Sequence, residues 1–276
     1  MNLWKEKIMN VVFFASAVMS ILGVALICFF LFINGIPAIG KIGPLAFLLG
    51  KEWSPTDLPP AFGILPMIVG SMYVTAGAAL IGVPVGVFAA VFWAKVCPKN
   101  FYRVSKPVIN LLAGIPSVVY GFFGMVAIVP FVGNSILAAC ILLGIMILPT
   151  VIAISESSLL AVPEQYYEGA LALGAGHYRA LFAVVVPAAR SGILAAIVLG
   201  IGRAIGETMA VIMVAGNQAR MPVSLLKGVR TMTANIVIEM GYAAELHREA
   251  LIATGVVLFV FIIFINMCFL ALTRKR

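Results

Sequence analysis

Long runs without a charged residue divide the chain. They cover residues 8–40, 58–94, 107–155 and 250–273, which are 33, 37, 49 and 24 residues long. A helix needs about 20 apolar residues to cross the hydrocarbon core of a bilayer. The pattern therefore predicts a polytopic, all-α membrane protein.

The 49-residue run is long enough for two crossings, and the residues Gly133-Asn134-Ser135 in its middle are typical of a tight turn. A sixth crossing is predicted over residues 191–216, where the only charges are Arg203 and Glu207. We expect six transmembrane helices in total.

Composition supports this interpretation, because 63% of the 276 residues are hydrophobic and only 10% are charged, against roughly a quarter in soluble domains. Basic residues near the ends of membrane spans stay on the cytoplasmic side. With both termini in the cytoplasm, the inner loops and termini carry 11 Lys and Arg and the outer loops carry 6. The net charge of +8 is thus explained by topology, and we expect no nucleic-acid partner.

The two in-membrane charges are the sharpest chemical signal. On one continuous helix Arg203 and Glu207 would share a face and could form an ion pair. Such residues at membrane depth mark substrate pathways, although a purely structural pair is the alternative. An Arg fork matches a tetrahedral oxyanion, and Thr208 adds a hydroxyl. This predicts an anion pathway without specifying the anion.

Prolines at positions 84, 116 and 149 each remove a backbone hydrogen bond within an apolar run. For Pro84 we favour ordinary packing of small residues between helices. Pro116 differs because Ser117 follows it and offers a hydroxyl beside a helix break. We therefore add Ser117 to the candidate substrate pathway.

The polar segment over residues 155–190 is predicted on the cytoplasmic face as a helix from about Pro163, a break at residues 174–176 and a second helix from about His177. A solvated loop is the alternative. Within this segment the residues Glu168-Gly169-Ala170, then Gly174, then Val184, Val186 and Pro187 have the spacing of the EAA motif of ABC-importer permeases. Gly169, Val184 and Val186 replace the Ala, Ile and Leu of the motif.

Two further stretches, LAGIPSVVYG from Leu112 and RAIGETMAVIMVAGN from Arg203, narrow the match. Together the motifs resemble the permease subunits of the phosphate-specific ABC importer, and the second stretch is closer to the PstC-type than to the PstA-type subunit. The resemblance covers about residues 63–276 and leaves residues 1–62 as an N-terminal transmembrane helix and first external loop.

This resemblance implies a MetI-like permease fold in the inner membrane and an ATP-driven importer of inorganic phosphate. The implied partners are a PstA-type permease, two ATPase subunits, an extracytoplasmic phosphate-binding protein and membrane lipid. It also implies a coupling region over residues 163–182, within the cytoplasmic loop 155–190, for contact with an ATPase. The implied contact residues are Glu168, Gly169, Ala170, Gly174 and Pro187.

No enzyme site is expected, because no Walker A loop and no nucleophile–base grouping is present, and no cofactor is expected in this chain. Three alternatives stay open: a secondary anion transporter or channel, an ABC permease for a related oxyanion such as sulfate or molybdate, and, least favoured, a membrane-embedded enzyme. The outer segment over residues 217–249 is a candidate docking site for a binding protein. A solvated loop is equally compatible with its charges.

Overall fold

The computed structural model describes residues 3–274 of the chain. Lys275 and Arg276, which enter the charge count above, lie outside the described residues. Most of the described chain is helical, so the predicted all-α class is confirmed.

The helices, in chain order, are α1 Leu3–Ile42, α2 Pro44–Leu49, α3 Leu65–Val91, α4 Lys99–Ala113, α5 Ser117–Ala127, α6 Val129–Val132, α7 Ile136–Leu160, α8 Glu164–Ala172, α9 His177–Ala180, α10 Val186–Ala188, α11 Arg190–Gly206, α12 Met209–Val214, α13 Met232–Glu239 and α14 Glu245–Arg274. A π-helical turn over Phe92–Val96 follows α3, and another over Leu181–Val185 joins α9 to α10. Two short strands, β1 Trp53–Ser54 and β2 Ala61–Phe62, pair antiparallel with Trp53 opposite Phe62.

Within the described residues, four helices are long and apolar enough to cross a membrane without a break. They cover Glu6–Ile42, Leu65–Val96, Ile136–Leu160 and Glu245–Cys268. Two bent pairs supply the remaining crossings, α4 with α5 at 100°, and His177–Ala188 with α11 at 70°. Counting each pair as one crossing gives the six that the sequence predicts.

The predicted turn between the two crossings of the 49-residue run is confirmed. Gly133 ends α6 with a φ of +69°, a conformation that glycine adopts without a Cβ penalty. Two residues later the hydroxyl of Ser135 accepts a hydrogen bond from the amide of Ala138 at 3.2 Å and caps α7.

Two of the crossings are bent or interrupted, and their bounds differ from the predicted ones. Residues 107–113 belong to α4, which turns away from α5 by 100°. The predicted span over residues 191–216 is also interrupted, because α11 ends at Gly206 and α12 begins at Met209. This last crossing instead begins earlier, at His177, and bends at Ala189.

Close packing of α3 on α7 forms the centre of the bundle. A Cβ on Gly82 would lie 2.6 Å from the carbonyl oxygen of Gly144, and one on Gly86 would lie 2.8 Å from Val151. These glycines flank Pro84, and α3 continues through that proline. Small residues therefore let the two helices approach closely, as expected for this part of the chain.

A second apolar cluster closes the end of the bundle that carries the strands. Buried Phe47, Trp53 and Met67 pack there with Met232 and Leu251. The cluster joins the segment before α3 to α13 and α14. The boundary predicted between residues 62 and 63 stays a prediction.

Candidate functional site

A helix break at Glu207 and Thr208 separates α11 from α12. The helix ends at Gly206, and Glu207 has extended backbone angles, φ −71° and ψ 132°. The predicted pairing is wrong: among the described residues, Arg203 and Glu207 form no ion pair. A spacing of four residues places two side chains on one face only while the helix continues between them.

Arg203 instead points toward α7. Its Nη1 donates to the hydroxyl of Thr150 at 3.2 Å, and the side chain is only partly buried. Its charge also acts electrostatically on the phenol of Tyr120 in α5. The guanidinium has five N–H donors, so most of them stay free for a ligand after the bond to Thr150.

Glu207 and its neighbours satisfy the backbone at the break. The Glu207 carboxylate accepts a hydrogen bond from the amide of Ala210 at 3.2 Å, near the N-terminus of α12. Its carbonyl oxygen accepts from the hydroxyl of Thr233 at 3.0 Å, and the hydroxyl of Thr208 donates to the carbonyl of Gly206 at 3.4 Å. An interrupted helix persists inside a membrane protein when such partners replace the lost helical bonds.

A second break lies between α4 and α5. Gly114 caps the end of α4, and Pro116 precedes α5, which begins at the half-buried Ser117. The phenol of Tyr120 donates to the carbonyl oxygen of Leu112 at 2.9 Å and so ties the two helices together across the 100° bend. The break predicted at Pro116 is therefore present.

The half-helices that begin at the two breaks pack side by side. A Cβ on Gly121 of α5 would lie 3.1 Å from the Cα of Ala210 in α12. One turn further, a Cβ on Gly124 would lie 2.9 Å from the side chain of Val214. Glycine on α5 thus lets the two half-helices touch along their length.

This arrangement suits an anion. The first turn of a helix presents unpaired N–H groups and the positive end of the helix dipole, and α5 offers this at Ser117. Arg203 adds a full positive charge that no carboxylate among the described residues neutralises. Glu207 is occupied as a helix cap, which differs from the predicted role of holding Arg203. Substrate contact by Arg203, Glu207, Thr208 and Ser117 stays a prediction.

The predicted helix–glycine–helix element is confirmed. α8 begins directly after Pro163, Gly174 takes a φ of +86°, and α9 begins at His177. Its surface is open, since Tyr166 is 55% exposed and Leu173 is 91% exposed. The predicted ATPase contacts lie on or just after this element: Glu168, Gly169, Gly174 and Pro187 are exposed, and Ala170 is half-buried.

Two side-chain contacts in this element were not predicted from the sequence. The phenol oxygen of Tyr167 in α8 lies 2.6 Å from Nδ1 of His177 in α9, and their rings meet edge to face at 5.8 Å. Lys95, at the end of the span that contains α3, pairs with Glu164 at 3.3 Å. These contacts fix α8 against its neighbours.

Glu156 is a functional candidate that the charge-free runs missed. The sequence places it one residue beyond a predicted span, but α7 continues to Leu160 and buries the carboxylate to 1% exposure. The phenol of Tyr102 donates to it at 2.8 Å, and Lys106 forms an ion pair with it. Glu156 thus joins α4 to the helix that leads into α8.

A second missed group lies at the end of the bundle that carries the strands. Glu239 is 5% exposed and accepts from the indole of Trp53 at 2.8 Å. One carboxylate oxygen lies 2.5 Å from Nη1 of Arg230, and the other lies 2.8 Å from Nε2 of His247. Asn235, fully buried, accepts a further bond from Arg230 at 3.1 Å. We call these five residues the outer network.

The outer network shows that the segment over residues 217–249 is folded. Nε of Arg230 donates to the carbonyl oxygen of Asn217 at 3.0 Å and closes the segment on itself. Partial burial and the nearby Glu239 carboxylate raise the pKa of the Tyr242 phenol above its ordinary value. The alternative of a solvated loop is therefore wrong for Arg230 and Glu239. No spacing rule would have grouped them with Trp53.

Comparison with known families gives one match. Residues 82–276 match the family described as the inner membrane component of binding-protein-dependent transport systems. The matched region contains both helix breaks and the helix–glycine–helix element.

Curated relatives cover most of the chain. The probable ABC transporter permease protein YqgH of Bacillus subtilis is 38% identical over an alignment of 275 positions that covers 95% of this chain and 89% of that protein. The phosphate transport system permease protein PstC of Mesorhizobium japonicum is 33% identical, over 88% of this chain and 81% of its own length. A PstC of Xylella fastidiosa is 34% identical, over 84% and 81%.

Solved structures share the fold at low sequence identity. A bacterial alginate ABC transporter superposes with a TM-score of 0.68 at 14% identity, over 99% of this chain and 99% of its own. The MetNI methionine ABC transporter gives a TM-score of 0.63 at 18% identity, over 77% and 96%. These likenesses establish a MetI-like permease fold and carry no information about substrate.

Proposed function

We propose that this chain, which belongs to the family of inner membrane components of binding-protein-dependent transport systems, forms the pathway for inorganic phosphate. The chain is a multi-pass ABC-importer permease subunit and not an enzyme. The observation that carries the proposal is Arg203, a cation at a helix break inside the bundle with no carboxylate partner among the described residues. The names of the PstC relatives support the choice of phosphate.

The chemistry of Arg203 explains why such a site would select an oxyanion. A guanidinium presents paired N–H donors that match two oxygens of a tetrahedral anion. The bond to Thr150 orients the guanidinium, and the N-terminus of α5 at the second break offers favourable dipoles for negative charge. Because Glu207 caps α12, its carboxylate does not compete directly for the arginine.

α8 is the proposed contact for an ATPase subunit. It carries the exposed Glu168, and the turn at Gly174 sets its direction relative to α9. The orientation that follows places α8, α4 and both chain termini in the cytoplasm, and it places the outer network on the opposite face. The assembled importer would then contain a second, PstA-type permease, two ATPase subunits and an extracytoplasmic phosphate-binding protein, with no cofactor in this chain.

The test is transport by the assembled complex in proteoliposomes. We expect Arg203→Met to reduce uptake of labelled phosphate by at least tenfold while the complex still assembles, because the anion loses its charged hydrogen-bond donors. Arg203→Lys should retain part of the uptake, since lysine keeps the positive charge but lacks the paired N–H donors of the guanidinium. Lys51→Met removes an exposed positive charge far along the chain from both breaks and serves as the control. Uptake close to wild type in Arg203→Met would refute the proposed role.

A related oxyanion is the competing substrate, because sulfate and molybdate oxygens fit the same fork. The stimulation of ATP hydrolysis by phosphate, sulfate and molybdate, each with its own binding protein, distinguishes them. Stimulation by sulfate or molybdate alone would keep the ABC-importer assignment and overturn phosphate. Uptake driven by an ion gradient without any ATPase would instead favour a secondary transporter.

A further inference from the structure

α4 has one face committed to the protein. The phenol of Tyr102 and the ammonium of Lys106 hold Glu156 of α7, and Ile109, further along α4, is buried. On the same side the hydroxyl of Ser105 accepts a hydrogen bond from the indole of Trp93 at 2.9 Å. These contacts fix how α4 is rotated about its axis.

A second face of α4 is apolar and uncovered. Phe101, Val104, Val108 and Leu111 recur at helical spacing, and their exposures are 55%, 71%, 52% and 72%. A stripe of this kind on a helix of 15 residues requires an apolar environment.

The geometry of the bend places this stripe near the plane of the membrane. α5 packs lengthwise against α7 and α12 inside the bundle, and α4 departs from α5 at 100°. α4 therefore runs nearly at right angles to α5 and across the end of the bundle, so the crossing counted for this bent pair is made by α5 with α6.

Aromatic side chains mark the level of α4 as a membrane–water boundary. The rings of Phe92 and Phe101 meet at 6.3 Å, and the ring of Trp93 lies 6.3 Å from Phe92. Trp and Tyr collect at both interfaces of a bilayer because their rings are apolar at one end and polar at the other. Trp93 and Tyr102 fit this pattern at the N-terminal end of α4.

The third face of α4 carries unneutralised positive charge. Lys99 and Arg103 are exposed, and the described part of the chain places no carboxylate within ion-pair distance of either. Between residues 58 and 155 the sequence holds no Asp or Glu at all. An anionic surface would therefore meet no repulsion from neighbouring parts of this segment.

We propose that α4 is an in-plane membrane-surface helix that buries its apolar stripe among acyl chains and binds anionic phospholipid headgroups through Lys99 and Arg103. The proposal rests on the orientation given above, which places α4 at the cytoplasmic leaflet, where anionic lipids concentrate. The apolar stripe and the two basic residues supply the two signals that an interfacial helix needs. The bonds from Tyr102 and Lys106 to Glu156 then connect the lipid surface to α7.

The first test asks what covers the stripe in the assembled complex. A photoreactive benzoylphenylalanine replaces Val104, and the complex is irradiated in bilayers that contain a labelled phospholipid. We expect a covalent lipid adduct. The same substitution at Val223, which is 74% exposed in the outer segment, serves as the control and should give much less lipid adduct. Crosslinking of position 104 to the second permease or to an ATPase, or no lipid adduct at all, would overturn the proposal.

The second test asks whether the charges select the headgroup. The preference of the purified complex for phosphatidylglycerol over phosphatidylcholine is measured with spin-labelled lipids. The double variant Lys99→Gln/Arg103→Gln should lower this preference by up to about 30-fold, the effect expected for two basic residues at an anionic surface. Lys51→Gln/Arg220→Gln removes the same charge elsewhere, and we expect it to change the preference much less. An equal effect of the two double variants would contradict a site on α4.

Neither readout depends on phosphate transport. Loss of uptake in the Arg203 variants with lipid binding intact would leave this inference standing. Conversely, failure of both lipid tests would leave the phosphate pathway unaffected. Labelling of single cysteines from one side of the membrane checks the orientation separately.

Discussion

Glu239 at the centre of the outer network gives the sharpest test of how the segment over residues 217–249 is held. The substitution Glu239→Gln keeps the shape of the side chain and removes its charge. The amide oxygen can replace one carboxylate oxygen, but the amide N–H₂ group then faces either Arg230 or the donors Trp53 and His247. The variant therefore leaves a buried cation or a buried donor without its acceptor.

The expected loss of stability in Glu239→Gln follows from the burial of the Glu239–Arg230 ion pair. The side chains of Glu239 and Arg230 are 6% and 16% exposed, so water compensates little for the lost pair. Removing one partner of a buried ion pair costs about 3–5 kcal/mol, and the retained amide acceptor favours the lower end. A loss of about 3 kcal/mol corresponds to roughly a 100-fold larger population of the opened segment.

Hydrogen exchange of the amides in α13 measures this population directly. We expect these amides to exchange roughly 100-fold faster in Glu239→Gln than in the wild type. Glu249→Gln is the matched control: Glu249 pairs with Lys41 at 2.7 Å, but their side chains are 37% and 57% exposed. Such a surface pair contributes about 0–1 kcal/mol, so exchange should rise less than about fivefold.

Equal exchange in the two variants would refute the reasoning that burial makes the outer network strong. Should Glu239→Gln fail to assemble, Trp53→Phe removes a single donor and keeps the aromatic packing. A lost hydrogen bond to a charged group costs about 1.5–3 kcal/mol, which predicts exchange in α13 about ten- to 100-fold faster. Unchanged exchange in Trp53→Phe would exclude the indole from the outer network.

Two further predictions concern the coupling element. Glu168→Lys should release the ATPase or uncouple ATP hydrolysis from uptake, because it reverses the charge of an exposed residue on α8. Gln165→Lys, which adds a positive charge at an exposed position of the same helix, is the comparison, and unchanged co-purification and transport in Glu168→Lys would exclude the contact. Tyr167→Phe removes the hydroxyl that binds His177 and should lower the amount of phosphate taken up per ATP hydrolysed, while Tyr178→Phe should not. The same ratio of uptake to ATP hydrolysis in both variants would contradict a positioning role for Tyr167.

The membrane spans could be predicted because charge is costly inside a bilayer, so the charge-free runs locate the crossings. Proline by itself is a weaker guide to the helix breaks, although the break predicted at Pro116 is present. Pro84 and Pro149 lie inside continuous helices, whereas the chain bends by 100° at Pro116. The difference is local, since Gly114 ends α4 two residues before Pro116 and Tyr120 bonds back across the bend.

The predicted Arg203–Glu207 pair is wrong because a spacing of four residues brings two side chains together only if the helix continues between them, and here it does not. Two signals for the break were available in the sequence. Gly206 is a residue that often ends a helix, and Thr208 is a residue that often begins one. Taken together they predict a stop between the two charges, which places Arg203 and Glu207 on different helical segments.

The groups that the sequence did not reveal are those assembled over long separations. Trp53 and Glu239 are 186 residues apart in sequence, and Tyr102 and Glu156 are 54 apart. Glu156 lies one residue beyond a predicted span and Glu239 lies in a predicted loop, so the sequence places both among solvated loop charges. In both cases helices and strands from elsewhere cover the carboxylate and supply donors, because a buried carboxylate is stable only when it is paired. The residues that hold this permease together near the two ends of its bundle are thus fixed by tertiary packing.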